Sequence, residues 1–222
     1  MLAPLPPTFA TTRDALHAVA EHVLAAALHR ATGRIGLRAT PGGFGTPPFG
    51  DDEVVRIEAS LLVHSVAGEE RRAPITSLRA AGDFVGVPIG APPLYAPATP
   101  ADPDRPLAVD APAAIALARW YACAAGLLEE LRGNYGAARP TLWPEHFDLA
   151  TTIGEANYGA SPGDATIAEP YLYVGPWDQT RRTGMFAAYP WGAAVTYSEL
   201  LASDDPRAAG CEFFGNAAAA LG

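Results

Sequence analysis

The chain of 222 residues contains no lysine; all 15 of its basic side chains are arginine. That absence removes several chemistries at once. No Schiff base can form on a side-chain amine, there is no lysine general base, and no Walker A lysine is present to hold a phosphate. Cysteine is nearly as scarce. Cys123 and Cys211 are the only two. They lie far apart, each within a predicted helix, which fits neither a disulfide framework nor a zinc spacing. Each reads as a buried, inert thiol. Positive charge is outweighed, since 24 acidic residues leave a net charge of −9. Nucleic acid wants a basic face, and anionic lipid repels an acidic one, so neither is an expected partner. The opening MLAPLPPTFATTRD has no basic n-region and no continuous apolar run. No stretch is expected to reach the length of a membrane span. The expectation is a soluble, cytoplasmic protein.

What is present is globular in character. Hydrophobic residues make up 49% of the chain and charged residues 18%, which is not a disordered composition. A single domain of this length buries roughly 70% of its unfolded surface and needs no metal or disulfide to fold. A helix is predicted from Thr12 to Thr32, with Gly33 as its C′ residue. Leu16, Val19, Ala20, Val23, Leu24, Ala27 and Leu28 form its apolar stripe. His17, Glu21, His22 and His29 fall off that stripe and read as a solvated face, with His17 and Glu21 one turn apart and able to pair.

Residues 34–40 alternate as a strand. The loop 41–52 comes next, and Phe44 and Phe49 in it read as core anchors, with a ligand lid as the alternative. Glu53–Val66 is the clearest strand, and Arg71–Ile75 is expected to pair back on it. His64 is read as a partly exposed strand residue. A short helix capped by Thr76 comes after it. Residues 88–112 hold eight prolines, too many for a helix interior or a central strand. They are read as a surface strap joining an N-terminal helix/strand part to a C-terminal helix/strand part of one domain. Asp110 caps a second long helix reaching about Arg132, and Asp205-Pro206 starts a C-terminal helix. Strands that sit in hairpin-like groups imply an α+β fold: a mainly antiparallel sheet with two long helices and a C-terminal helix packed on it.

The densest polar and aromatic stretch is residues 140–178. In Glu145–Ile153 the strand period puts His146 and Asp148 on one face and Phe147 and Leu149 on the other. In Glu169–Gly175 it groups Glu169, Tyr171 and Tyr173. If these two strands pair as a hairpin, one histidine, two carboxylates and two phenols converge. The long loop between them adds Glu155, Asn157, Tyr158 and Asp164, with Ser161-Pro162-Gly163-Asp164 as a type II turn. Three functions remain open for this set. His146 and Asp148 form two-thirds of a facial-triad metal site, but no further histidine lies downstream, so a metal would need His64 or a helix histidine. His146, oriented by Asp148 or Glu169, suits a general base. Trp143, Tyr158, Tyr171, Tyr173 and Trp177 suit the walls of a ligand cleft. The competing reading gives these polar groups purely local hydrogen bonds that hold the loop.

The strings LWPEHFDLA at 142–150, NYGASPGD at 157–164 and EPYLYVGPW at 169–177 resemble uncharacterised actinobacterial proteins of unknown function, as does GRIGLRATPGGFGTP at 33–47. That resemblance implies a bacterial, cytoplasmic protein and carries no activity, cofactor or catalytic residue with it. The expected function is therefore the binding of a small polar ligand in a cleft at 140–178, with acid–base or metal-assisted chemistry open. The alternative is a non-enzymatic protein that uses the hairpin and strap as an interaction surface. Cofactor, metal and oligomeric state are not legible.

Overall fold

A computed structural model describes residues 2–222. The helix expected near the N-terminus is built in three pieces: α1 (Phe9–Val19), a π-helical turn (Ala20–Leu24) and α2 (Ala25–Thr32). Gly33 closes it in the left-handed conformation at φ 73°, as a C′ glycine does. The wide turn takes in one extra residue and rotates the rest of the helix about its axis. Every residue from Ala18 to Ala25 is buried as a result. Glu21 and His22 are 0% exposed, so the solvated face expected of them does not exist.

The chain forms two compact units. One comprises Leu5–Ala122 with Leu142–Phe147. The other comprises the N-terminal residues up to Pro4, Cys123–Thr141 and Asp148–Gly222. Strands likewise fall into two antiparallel sheets within the expected α+β class.

The first unit holds the sheet β1 (Arg38–Thr40), β2 (Gly43–Gly45), β3 (Val54–Glu58), β4 (Leu61–Val66) and β5 (Glu69–Pro74), in sequence order. The single strand expected over Glu53–Val66 is a hairpin. Ala59 turns at φ 51°, and Glu58 then faces Leu61. Val55, Ile57, Leu62 and Val63 are buried at 1% exposure or less, each burial contributing about 1.5–3 kcal/mol. Phe44 is also buried and meets Tyr121 and Phe147 edge-on, so it is a core anchor. His64 is buried, not partly exposed. Its Nδ1 accepts from Arg71 Nη2 (3.0 Å) and its Nε2 donates to Glu53 Oε1 (2.8 Å). The short helix α3 (Leu78–Val85) takes Ser77 as its cap rather than Thr76; Ser77 Oγ accepts from Ala80 N at 3.1 Å. The proline strap is ordered against this unit. Arg79 N donates to Pro103 O (2.9 Å) and Leu107 N to Thr76 O (2.9 Å), and the Arg79 guanidinium grips Asp104 at 2.7 and 2.9 Å.

α4 (Ala111–Tyr135) gives its first half to this unit and its second half to the other. Asp110 caps it, accepting from Ala113 N at 3.1 Å. It runs past Gly133 and Asn134, and Gly136 (φ 68°) comes directly after its last residue. Contrary to the expectation that no stretch is long enough, this 25-residue helix has the length and hydropathy of a membrane span. Trp120 and Tyr121 within it are nevertheless 0% exposed, and a core helix of a soluble protein has the same composition.

The other sheet runs β10 (Ala193–Thr196), β9 (Tyr171–Pro176), β8 (Ala156–Ser161), β7 (Asp148–Ile153) and β6 (Thr141–Trp143), in that order; its first four strands belong to the second unit, which takes only Thr141 of β6. Thr196 closes a capping box on α5 (Tyr197–Ala202). Asp205 caps α6 (Pro206–Leu221) through Arg207 N and Ala208 N at 3.0 and 3.1 Å. Cys123 and Cys211 are free and only half-buried, and burial raises both thiol pKa values.

Candidate functional site

The two strands expected to form the site hairpin are not neighbours. β8, drawn from what reads in sequence as the long loop, lies between them. β7 turns at Gly154-Glu155 and pairs with β8, which pairs with β9. The small side chains of ANYGAS hide the strand signal, since glycine and alanine are poor strand formers.

The expected faces survive this insertion. Ala150 opposes Gly159, which opposes Tyr173, while Ser161 opposes Tyr171. Opposed residues share a face, so Asp148, Tyr171 and Tyr173 belong to one face and Leu149, Leu172 and Val174 to the other. The Tyr173 side chain lies across Gly159, and its phenol donates a hydrogen bond to Asp148 Oδ2 on the far strand. A Cβ on Gly159 would meet the end of the Tyr173 ring at 2.5–2.6 Å. Only glycine leaves that path open. Alongside, the Tyr171 phenol donates to Asp164 Oδ2 at 2.6 Å. Asp164 Oδ1 accepts from Thr166 N (2.7 Å) and Ile167 N (2.9 Å), and Gly163 turns at φ 100°. The face therefore carries two phenol–carboxylate pairs.

Two further aromatic rings, Trp191 and Tyr189, wall these pairs. Trp191 stacks between Tyr189 (4.9 Å) and Tyr171 (5.7 Å) and meets Tyr173 edge-on at 5.7 Å. Gly192 makes this approach feasible. At φ 146° it lies against β9, and a Cβ there would strike Val174 O at 2.1 Å. Arg182 fixes the same segment, bonding Pro176 O through Nε and Nη2 (3.1 and 3.0 Å) and Pro190 O through Nη1 (2.6 Å). The sequence did not mark Trp191 or Tyr189 as part of this site.

Burial is the first cause that raises the Tyr173 pKa well above its ordinary value, with the Asp148 charge and their hydrogen bond adding to it. Tyr171 is raised by burial and then by its bond to Asp164. Both phenols therefore keep their protons at physiological pH and act as donors, not bases.

The other expected site residues have different duties. His146 is exposed and lies in a turn of the first unit, where Phe147 takes φ 54°. The alternation that joined His146 to Asp148 does not run through that turn. Glu169 accepts from Ser198 N (2.9 Å) and Ser198 Oγ (2.7 Å), anchoring the start of α5. Glu155 is an exposed turn residue. Asn157 Oδ1 accepts from Trp177 Nε1 (3.0 Å) and Thr152 Oγ1 (3.2 Å). Tyr158 lies on the opposite, core-facing side, 1% exposed and edge-on to Phe214. Burial pushes its phenol up to about 12. Trp143 and Trp177 are exposed at 39% and 55%. No group of three or more His, Cys, Asp or Glu among the described residues is arranged to hold a metal, so the metal reading finds no ligand set.

A second polar cluster, built on residues expected to form a solvated helix face, lies in the first unit and includes the expected His17–Glu21 pair. The Glu21 carboxylate accepts from Ala98 N (2.9 Å), Thr99 N (2.8 Å) and Thr99 Oγ1 (2.5 Å). His22 Nε2 donates to Thr99 O at 2.9 Å. His17 Nε2 donates to Pro144 O at 2.8 Å, lies 3.8 Å from Glu21 Oε2, and stacks its ring on Phe147 at 4.7 Å. Burial is the main cause that lowers the His17 pKa, with the Glu21 charge opposing it.

In comparisons with known proteins, no family model, no curated protein and no solved structure matches the chain.

Proposed function

We propose that the protein binds a small polar molecule bearing N–H or O–H donors on the β7–β8–β9 face, over Asp148, Asp164, Tyr171 and Tyr173. The observation that carries this reading is the pair of phenol–carboxylate contacts side by side on that face. A carboxylate offers about four lone-pair sites. Asp164 is exposed and keeps acceptor capacity beyond the bonds it already makes. The Trp191 panel adds a rigid apolar wall, the usual companion of a few placed polar groups in ligand sites. With both phenols held protonated, the face suits recognition rather than proton abstraction.

Ligand-observed NMR with a panel of small amides and sugars tests the proposal. Donor-bearing compounds should bind, binding should weaken about tenfold or more in Asp164→Asn and Asp148→Asn, and His146→Ala should leave it unchanged. The absence of any binder, or binding indifferent to both carboxylate changes, would sink it.

A further inference from the structure

The strap 88–112 carries an arrangement that the sheet site does not use. Glu21 holds the strap at Ala98 and Thr99, and His22 O accepts from Gly90 N at 3.2 Å. Tyr95 lies on the strap between those two attachments. One turn back along the same helix, beside Glu21, the bond from His17 ties in Pro144, which precedes Glu145. Helix, strap and the 144–145 turn are thus gathered around one place.

Three buried polar atoms on these adjoining segments have no partner among the described residues: Tyr95 Oη on the strap, Glu145 Oε2 in the turn and His22 Nδ1 on the helix. His22 is itself 0% exposed. Buried polar atoms are nearly always hydrogen-bonded, so three on segments tied to one another call for an explanation. Their chemistry is one-sided. Glu145 Oε2 only accepts. With the His22 proton on Nε2, where it serves Thr99 O, Nδ1 is an acceptor too. Tyr95 Oη can donate or accept. Among the described residues no arginine is paired with Glu145 or Glu21, and the ion-pair contact found for them is that of His17 with Glu21. Burial, then the charges of Glu21 and Glu145, push the Tyr95 phenol pKa upward, which fits two carboxylates facing the same hydroxyl. π-helical turns recur at functional sites, and this one presents Glu21 and His22 together.

We propose that this cluster beneath the strap is a second binding site, taking ammonium or a short primary amine as its occupant. Such a cation supplies three or four N–H donors to a surplus of buried acceptors and offsets carboxylate charge in a region of low dielectric. A metal ion is disfavoured by the donor set, since among the described residues no three His, Cys, Asp or Glu side chains are arranged for one. A bulky amine is disfavoured because the strap is bonded down on either side of Tyr95.

Thermal unfolding of the full chain in ammonium, methylammonium, sodium and tetramethylammonium chlorides, at equal ionic strength, tests the proposal. Ammonium or methylammonium should raise Tm by about 5–10 °C at roughly a hundred times its Kd. Sodium and tetramethylammonium should not. The rise should vanish in Glu145→Gln, shrink in Tyr95→Phe and persist in Asp164→Asn, which separates this site from the one on the sheet. If Glu145→Gln fails to fold, Tyr95→Phe decides on its own. Equal Tm in all four salts means ordered water only and overturns the proposal. An ammonium-specific rise that survives both Glu145→Gln and Tyr95→Phe overturns it as well.

Discussion

Gly159 decides where Tyr173 can point, and Tyr173 decides whether Asp148 has a phenol partner. Gly159→Ala puts a methyl group where the end of the ring lies. Overpacking of this kind costs about 1–3 kcal/mol. Urea unfolding should show that loss, with the Tyr173–Asp148 bond broken. Tyr173→Phe keeps the ring but leaves Asp148 without its phenol donor, for a loss of about 1–3 kcal/mol. The shared face of Asp148, Tyr171 and Tyr173 was legible because strand alternation is a local rule. The place of His146 was not, because it depends on Phe147 adopting φ 54°, a conformation that an aromatic residue rarely takes. His17 carries a pH signature. Its folded-state pKa is lowered, chiefly by burial, so folding favours the uncharged ring. That contribution is complete above the unfolded value of about 6.5 and is lost as pH falls through the lowered folded value. His17→Gln, which retains a donor for Pro144 O, should flatten the decline in stability on acidification below about pH 6.5. An unchanged slope would refute this role.

At the scale of elements, helix and strand types were readable where the pattern was long and the caps were local. Asp110, Asp205 and Gly33 behave as their positions imply. Pairings were less readable. β8 was concealed by ANYGAS, and the turn at Ala59 interrupts what reads as one strand because Ala59-Ser60 contains no glycine or proline to mark it. The π-helical turn defeated the 3.6-residue wheel. One inserted residue shifts the register, and residues assigned to solvent became the anchors of the strap. The strap therefore depends on a carboxylate. Glu21→Ala strands two backbone N–H groups and the Thr99 hydroxyl, at a cost of about 1–3 kcal/mol. Hydrogen exchange at Ala98 and Thr99 should accelerate about tenfold or more. Exchange at Leu107, which is bonded to Thr76 O, should change far less, because that attachment does not involve Glu21.

At the scale of the whole molecule, the α+β class was legible in composition and the grouping of strands. Its division between two sheets was not, because strand partners are chosen by contacts remote in sequence. The same scale decides how α4 is to be understood. By length and mean hydropathy this helix would cross a bilayer. Two of its features argue for a place inside the protein. Trp120 and Tyr121 are fully buried, and Tyr121 Oη donates to Phe147 O at 2.7 Å, a bond that lipid insertion would forfeit. Arg119, Glu129, Glu130 and Arg132 also lie along it, and a charge near the bilayer centre costs at least about 2.5 kcal/mol. The net charge of −9 adds repulsion from anionic headgroups within a Debye length, about 8 Å at physiological salt. Flotation of the full chain with zwitterionic and anionic vesicles should leave it unbound in both cases, at low and at physiological salt. Co-flotation with either vesicle would show that α4 leaves its packed position for lipid. Tyr121→Phe would then identify the cause, since removing the internal bond should increase vesicle binding if that bond is what retains the helix.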